Sequence, residues 1–280
     1  MGSSLGDGSV LNRNLKSTLE RGDPAYGLWV TLESPEVTEI ATELELDWVA
    51  IELEHSALGA DHVVNHLRAA RGGKTSVMVR LPVGTRETIK IALDIGVDGV
   101  IVPLVRSAAE VQEILSFAYY PPKGQRTIGG TRAARYGVRG REYFATANDD
   151  ILVIPIIETA EALEAIDEIL AVPGLEAIFI GPSDLSAAQG YVGVWEGPGV
   201  AEQILSICAK ARARGIAYGI ITLGPEDLRL RRGQGYQMLA LGMDTAMLVS
   251  GIRSARADAD GPPPVADGVA GYGEPATAER

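Results

Sequence analysis

The chain has 280 residues, 46% apolar and 22% charged, which excludes a wholly disordered or collagen-like polypeptide. Lys and Arg number 25 against 37 Asp and Glu, and the resulting net charge of −12 repels nucleic-acid phosphates and anionic lipid. A single cysteine, Cys208, cannot form an internal disulfide, no apolar run approaches the roughly 20 residues of a membrane span, and Met1 to Glu20 lack an apolar signal core. These features predict a cytoplasmic protein with neither a nucleic-acid nor a membrane partner.

A Gly/Ser-rich leader and a first helix, together residues 1–22, precede a repeating region over 23–257. There, short β-branched runs predict strands and the amphipathic stretches after them predict helices. In chain order the pairs are Tyr26–Leu32 with Pro35–Leu46, Asp47–Leu53 with Ala60–Arg71, Ser76–Leu81 with Arg86–Ile95, and Gly99–Val105 with Ala108–Tyr119. The second half gives Ile151–Ile157 with Ala160–Val172, Leu175–Ile180 with Val200–Arg214, Ala217–Leu223 with Pro225–Arg232, and Tyr236–Leu241 with Thr245–Ala257. Ser34 before Pro35 and Ser107 before Ala108 read as helix N-caps, and Gly96 and Gly215 as helix stops. Residues 258–280, rich in Gly, Pro and Ala without apolar periodicity, predict a disordered tail.

Runs such as Ile151-Leu152-Val153-Ile154-Pro155-Ile156-Ile157 are apolar on both faces, as parallel strands covered on each side must be. Eight strand–helix units predict a single-domain (β/α)8 TIM barrel. An open doubly wound sheet would carry a glycine-rich phosphate turn after its first strand, where this chain has Glu33-Ser34-Pro35. The connection Pro121–Asp150 is unusually long and basic, with Lys123, Arg126, Arg132, Arg135, Arg139 and Arg141. It reads either as a capture loop for a carboxylated substrate or as a salt-bridging contact with a neighbouring subunit.

In such a barrel, chemistry lies just past the strand C-termini. Those positions hold Glu33, the cluster Glu52, Glu54 and His55, then Arg80, Glu158, Asp184, Thr222 and Asp244. Glu158 and Asp184, on adjacent strand ends, form a pair able to hold a hard divalent cation such as Mg²⁺; each taken alone could equally cap the helix after it. Arg80 would offset a buried carboxylate pair or bind substrate, and His55 stands where a neighbouring carboxylate could tune an imidazole. His62 and His66 share a helix face without a third ligand, which reads as ordinary packing or solvation. The segment Arg71-Gly72-Gly73-Lys74-Thr75 lacks the first glycine of a phosphate loop, Cys208 lies mid-helix, and none of the five lysines ends a strand, which disfavours Schiff-base chemistry.

These residues resemble the HpcH/HpaI aldolase family. The matching blocks are Tyr26-Gly27-Leu28-Trp29, Asp47-Trp48-Val49-Ala50-Ile51 leading to Glu54-His55, Val79-Arg80-Leu81-Pro82, Leu93-Asp94-Ile95-Gly96 and Val102-Pro103-Leu104-Val105. They continue through Tyr120-Pro121-Pro122-Lys123-Gly124-Gln125-Arg126, Ile157-Glu158-Thr159 and Ile180-Gly181-Pro182-Ser183-Asp184-Leu185-Ser186. The resemblance implies a homohexamer of paired barrels using Mg²⁺, Mn²⁺ or Co²⁺, held by Glu158 and Asp184. It further implies that Arg80 grips a 2-oxo acid and its enolate, that His55 is the acid/base with Asp94 as orienting partner, that the amides of Ser183 and Asp184 receive the substrate carboxylate, and that Ile221 lines the pocket. The family usually has an aspartate where Glu52 stands and often a glutamine where Ile156 stands, so these two positions bear on acid/base geometry and substrate orientation.

The expectation is a metal-dependent aldolase that cleaves or forms a 4-hydroxy-2-oxo acid through a pyruvate enolate, with an aldehyde as second substrate. The alternatives are an oxaloacetate-type decarboxylase or biosynthetic bond-former on the same scaffold, and a catalytically silent barrel.

Overall fold

The computed structural model describes residues 10–260; the expected leader over residues 1–9 and residues 261–280 of the expected tail lie outside them, while residues 258–260 of that tail belong to the last helix (Asp244–Asp260). After helix α1 (Asn14–Glu20), the first half runs β1 (Ala25–Val30), α2 (Pro35–Glu43), β2 (Trp48–Glu52), α3 (Ala60–Ala69), β3 (Ser76–Arg80), α4 (Arg86–Ile95), β4 (Gly99–Val102) and α5 (Ala108–Ala118). A 3₁₀ turn (Arg135–Gly137) and α6 (Gly140–Asp150) lead to β5 (Leu152–Ile157), α7 (Ala160–Glu164), α8 (Ile166–Ile169), β6 (Ala177–Ile180) and α9 (Pro182–Ala188). The chain then continues through α10 (Val200–Ala213), β7 (Ala217–Ile221), α11 (Pro225–Gly233), β8 (Met238–Met243) and α12 (Asp244–Asp260).

The eight strands are parallel and pair in sequence order, and β8 closes on β1 through registers such as Tyr26 with Leu239, so the expected barrel is the observed one. Strand alternation divides the core in two. Inward-facing Trp29, Trp48, Met78, Ile101, Ile154, Ile156, Phe179 and Met238 fill the barrel. Val49, Ile51, Val77, Val79, Val100 and Val153 face outward and pack beneath the helices. No helix of the described residues is long and apolar enough to cross a membrane.

The N-terminal segment closes the bottom of the barrel. Leu15 and Leu19 of α1 join the inner cluster, and buried Lys16 pairs with Glu176 at 2.8 Å. Asp98 accepts hydrogen bonds from the amides of Asn12 (2.7 Å) and Val77 (2.8 Å), and its burial pushes its carboxyl up to about 7.

Local differences from the sequence reading have local causes. The long connection contains α6, whose buried Tyr143, Ala147 and Asp150 form a sparse helical stripe within a polar stretch. The stretch Ala160–Val172 divides into α7 and α8 at Ala165, whose ψ of 12° leaves the helical range. Ser107 caps α5 by accepting from the Glu110 amide (3.2 Å), whereas Ser34 donates to Glu36 and caps nothing. Gly96 ends α4 at φ 91°, and Gly215 follows α10 at φ 71°.

Gly27 lies opposite Trp48 in the β1–β2 ladder, and a Cβ there would come within 2.1 Å of the indole ring. The indole fills the barrel interior, so nothing can yield without moving the wall. Gly27→Ala is expected to destabilise the fold by about 3 kcal/mol or more, read as a lower midpoint in urea unfolding; an unchanged midpoint would show that the ring can shift freely.

Candidate active site

The pairing of β2 with β3 places Glu52 opposite Arg80, and the site is built around that pair. Glu52 is 1% exposed, yet every one of its oxygen contacts is polar. Its Oε2 accepts from the Trp29 indole N–H (2.7 Å) and lies 3.3 Å from Arg80 Nη1. Its Oε1 accepts from the amides of Glu54 (2.6 Å) and His55 (3.1 Å), which folds the chain back over the end of β2. The longer glutamate side chain thus ties the floor of the barrel mouth to the loop that carries His55.

Arg80 also touches Glu54 through Nη2 and lies 3.7 Å from Glu158 Oε2, with its guanidinium 6.0 Å above the Trp29 ring. Glu158, just beyond β5, is 3% exposed and receives the Leu104 amide on Oε1 at 2.7 Å. To make that bond Leu104 adopts φ 56°, a left-handed conformation that costs a non-glycine residue about 1 kcal/mol. Burial, reinforced by the charges of Asp184 and Glu54 against the pull of Arg80, pushes Glu158 up to about 7. Burial likewise raises Glu54, partly offset by Arg80 and His55.

Asp184 is exposed in the first turn of α9, which starts at Pro182 rather than Leu185, so Asp184 lies inside the helix and does not cap it. The first-turn amides at Ser183 and Asp184 have no acceptor four residues back within the helix. Ile156, two residues before Glu158, is buried in the inner wall, and Ile221 packs against the same wall from the end of β7. Among the described residues no three His, Cys, Asp or Glu side chains converge as a complete ligand set; Glu158 and Asp184 are two carboxylates from neighbouring strand ends, close enough for the charge of Asp184 to act on Glu158. That pair fits a hard divalent ion, which commonly takes one or two protein carboxylates. The local charge fits too: Arg80 faces Glu52, Glu54 and Glu158, Asp184 adds its charge to Glu158, and the exposed His55 lies beside Glu54.

Asp94 is not brought to this site. It ends α4 and holds buried Arg126 at 2.9 Å, whose guanidinium lies 4.6 Å above the Tyr120 ring. The basic connection is anchored at the same place, through Arg132 donating to the Ile95 carbonyl (2.7 Å) and the Ala133 amide donating to the Asp94 carbonyl (3.0 Å). Other polar strand-end residues serve structure. Asp244 accepts from the amides of Thr31 and Leu32, and Thr222 donates to the Ala240 carbonyl. His62 lies 2.9 Å from Glu33, and buried His66 bonds Thr38 at 2.8 Å. The sequence reading overlooked Trp29 and the Leu104 amide. Alternation from Gly27 could have placed Trp29 in the barrel, but nothing in the sequence marks the Leu104 backbone.

Comparison with known proteins decides the family. The sequence pattern of the HpcH/HpaI aldolase/citrate lyase family matches residues 25–251. The chain belongs to that family. A hydroxypyruvate/pyruvate aldolase of Roseovarius nubinhibens is 37% identical over 243 residues, 86% of this chain and 95% of that protein. A 2-keto-3-deoxy-L-rhamnonate aldolase of Salmonella gallinarum is 34% identical over 248 residues, covering 88% of this chain and 92% of its own. A crystal structure of a family member from Burkholderia cenocepacia J2315 superposes with a TM-score of 0.84 at 30% identity, covering 88% of this chain and 98% of that one. This member of the family is an aldolase, a carbon–carbon lyase.

Two expectations follow from the geometry. Glu158 is raised from an ordinary 4.5 to about 7, so the stability it contributes is fully present below 4.5 and lost as pH climbs through about 7. Without metal, Glu158→Gln should therefore raise Tm relative to the parent by about 3 °C or more at pH 8 and leave it nearly unchanged at pH 4, measured by calorimetry; an equal offset at both pH values would contradict this. A Cβ on Gly181 would lie 2.6 Å from Glu158 Oε2 and 2.7 Å from its Cβ. Gly181→Ala should displace Glu158 and weaken Mn²⁺ binding about tenfold or more by titration calorimetry while the far-ultraviolet dichroism is retained.

Proposed function

We propose that this aldolase cleaves and forms 4-hydroxy-2-oxo acids through a pyruvate enolate, releasing or accepting an aldehyde, with a divalent cation held by Glu158 and Asp184. The observation that carries the reading is the gathering of Glu52, Glu54 and Glu158 around a single guanidinium at the strand ends, with Asp184 near enough to add its charge to that of Glu54 and Glu158. That charge balance favours a cation and a substrate able to meet both the cation and Arg80. The names of the Roseovarius and Salmonella relatives, which act on pyruvate-type and 2-keto-3-deoxy sugar acids, support the same substrate class.

A bound Mg²⁺, Mn²⁺ or Co²⁺ supplies the Lewis-acid charge that offsets an oxyanion developing on the 2-oxo group. Arg80, held from below by Glu52, presents its guanidinium to the same oxygen and to the enolate. The amides of Ser183 and Asp184 point from the start of α9 and receive the substrate carboxylate. Ile156 and Ile221 give the pocket an apolar wall against the pyruvate methyl group. The Glu54–His55 pair, 3.6 Å apart, handles the proton of the 4-hydroxyl group.

Two features favour assembly and a reducing compartment. Met247, Leu248, Val249 and Ile252 of α12 stand about half exposed, an apolar face that a second copy would cover in the hexamer implied by the family resemblance. Cys208 is buried as a free thiol, which suits the cytoplasm.

Pyruvate methyl protons should exchange with D₂O only when a divalent cation is added, followed by nuclear magnetic resonance. Arg80→Ala and Asp184→Asn should each lower that exchange by about a hundredfold or more with the fold intact, and an unaffected rate would contradict their roles. Exchange together with oxaloacetate turnover but without aldehyde-dependent chemistry would point to a decarboxylase. No exchange with any of the three cations would point to a silent barrel.

A further inference from the structure

Asp184 stands in the short helix α9, and the groups that hold α9 come from the outer helical ring. Ser186, two residues after Asp184 and fully buried, is the point of attachment. Its hydroxyl donates to the Trp195 carbonyl (3.2 Å) and accepts from the Gly197 amide (2.8 Å), and its carbonyl accepts from the Tyr191 amide (2.9 Å). These bonds fold the segment 189–199 back onto α9. A Cβ on Gly197 would lie 2.5 Å from the Tyr191 ring, so the segment is folded tightly. Between Trp195 and Gly197 comes Glu196, whose Oε1 meets Nη1 of Arg231 in α11 at 2.9 Å. Arg231 is 4% exposed. Its Nε donates to Asp227 Oδ1 (2.8 Å), and Asp227 Oδ2 accepts from the Leu223 amide (3.0 Å) just past β7. One guanidinium thus joins α11, the end of β7 and the segment that grips α9.

Burying a guanidinium is expensive, and an apolar side chain of similar size often stabilises a fold as well or better. What an apolar side chain cannot do is fix a carboxylate in one place. We propose that Arg231 is a positioning residue for Asp184: by holding Glu196 it fixes the two peptide groups that bind Ser186, and through α9 it sets where Asp184 stands relative to Glu158. The assignment rests on the cation reading above, in which Glu158 and Asp184 hold the metal. The path from Arg231 to α9 runs through contacts of 2.8–3.2 Å and a few covalent bonds, so a shift at Glu196 reaches Asp184 with little slack. Groups one layer behind metal ligands commonly change metal affinity ten- to a hundredfold.

The experiment measures Mn²⁺ binding to the full-length enzyme by titration calorimetry, and amide hydrogen exchange over residues 182–199 without metal. Arg231→Met and Glu196→Gln should each weaken Mn²⁺ binding about tenfold or more and speed exchange across that segment, with Tm within about 3 °C of the parent. Should Arg231→Met fold poorly, Glu196→Gln decides alone, because it keeps the shape of the side chain. The double variant should bind Mn²⁺ within about threefold of either single one, since both cut the same path. Arg231→Lys should recover part of the affinity, because an ammonium can reach Glu196 but lacks the second arm of the fork. Affinity within about threefold of the parent in the single variants, losses that multiply in the double variant, or unchanged hydrogen exchange would overturn the positioning role and leave the cation reading standing. A parent enzyme that binds no Mn²⁺ would overturn the cation reading and this role with it.

Discussion

Arg80 carries one positive charge into a barrel mouth where Glu52, Glu54, Glu158 and Asp184 can carry four negative ones, and the chemistry of the site follows from that imbalance. A planar guanidinium can face several carboxylates at once, as it does here with three. It cannot neutralise them all. The remaining charge favours retaining a proton, and burial pushes Glu158 up to about 7. A cation bound there as proposed would displace a proton held on Glu158, coupling metal affinity to acidity.

The barrel makes the imbalance possible by delivering the groups from four strand ends: Glu52 and Glu54 from β2, Arg80 from β3, Glu158 from β5 and Asp184 from β6. The register that sets Glu52 against Arg80 fixes an ion pair before any loop is considered. Glu158 follows β5, and Asp184 follows β6 after a glycine whose missing Cβ leaves room for the Glu158 carboxylate. Loops add only the amide of Leu104 and the turn from Glu52 to His55. A rigid frame with few flexible contributors holds the charges in place before substrate arrives, which is how electrostatic stabilisation becomes effective.

Much of this was legible in the sequence because burial on both faces writes itself as long apolar runs. Against such runs, Arg80 within Val77-Met78-Val79-Arg80-Leu81 and Glu158 after seven apolar residues stand out as charges needing partners. Helix α6 was hidden because its few buried positions lie among polar ones. Asp94 was expected beside His55 through family resemblance, yet α4 brings its last turn back toward the start of the barrel, where Arg126 claims the carboxylate. The bond from the Leu104 amide to Glu158 had no signature at all, since any residue but proline could supply it. The reach of Glu52 to Trp29 depends on inter-strand geometry that a linear pattern does not encode.

The plug formed by α1 has a consequence for traffic. With Leu15 and Leu19 sealing one end of the cylinder, molecules enter and depart through a single doorway. Were a small keto acid to sit beside Arg80 as proposed, it would share that one opening with any second reactant.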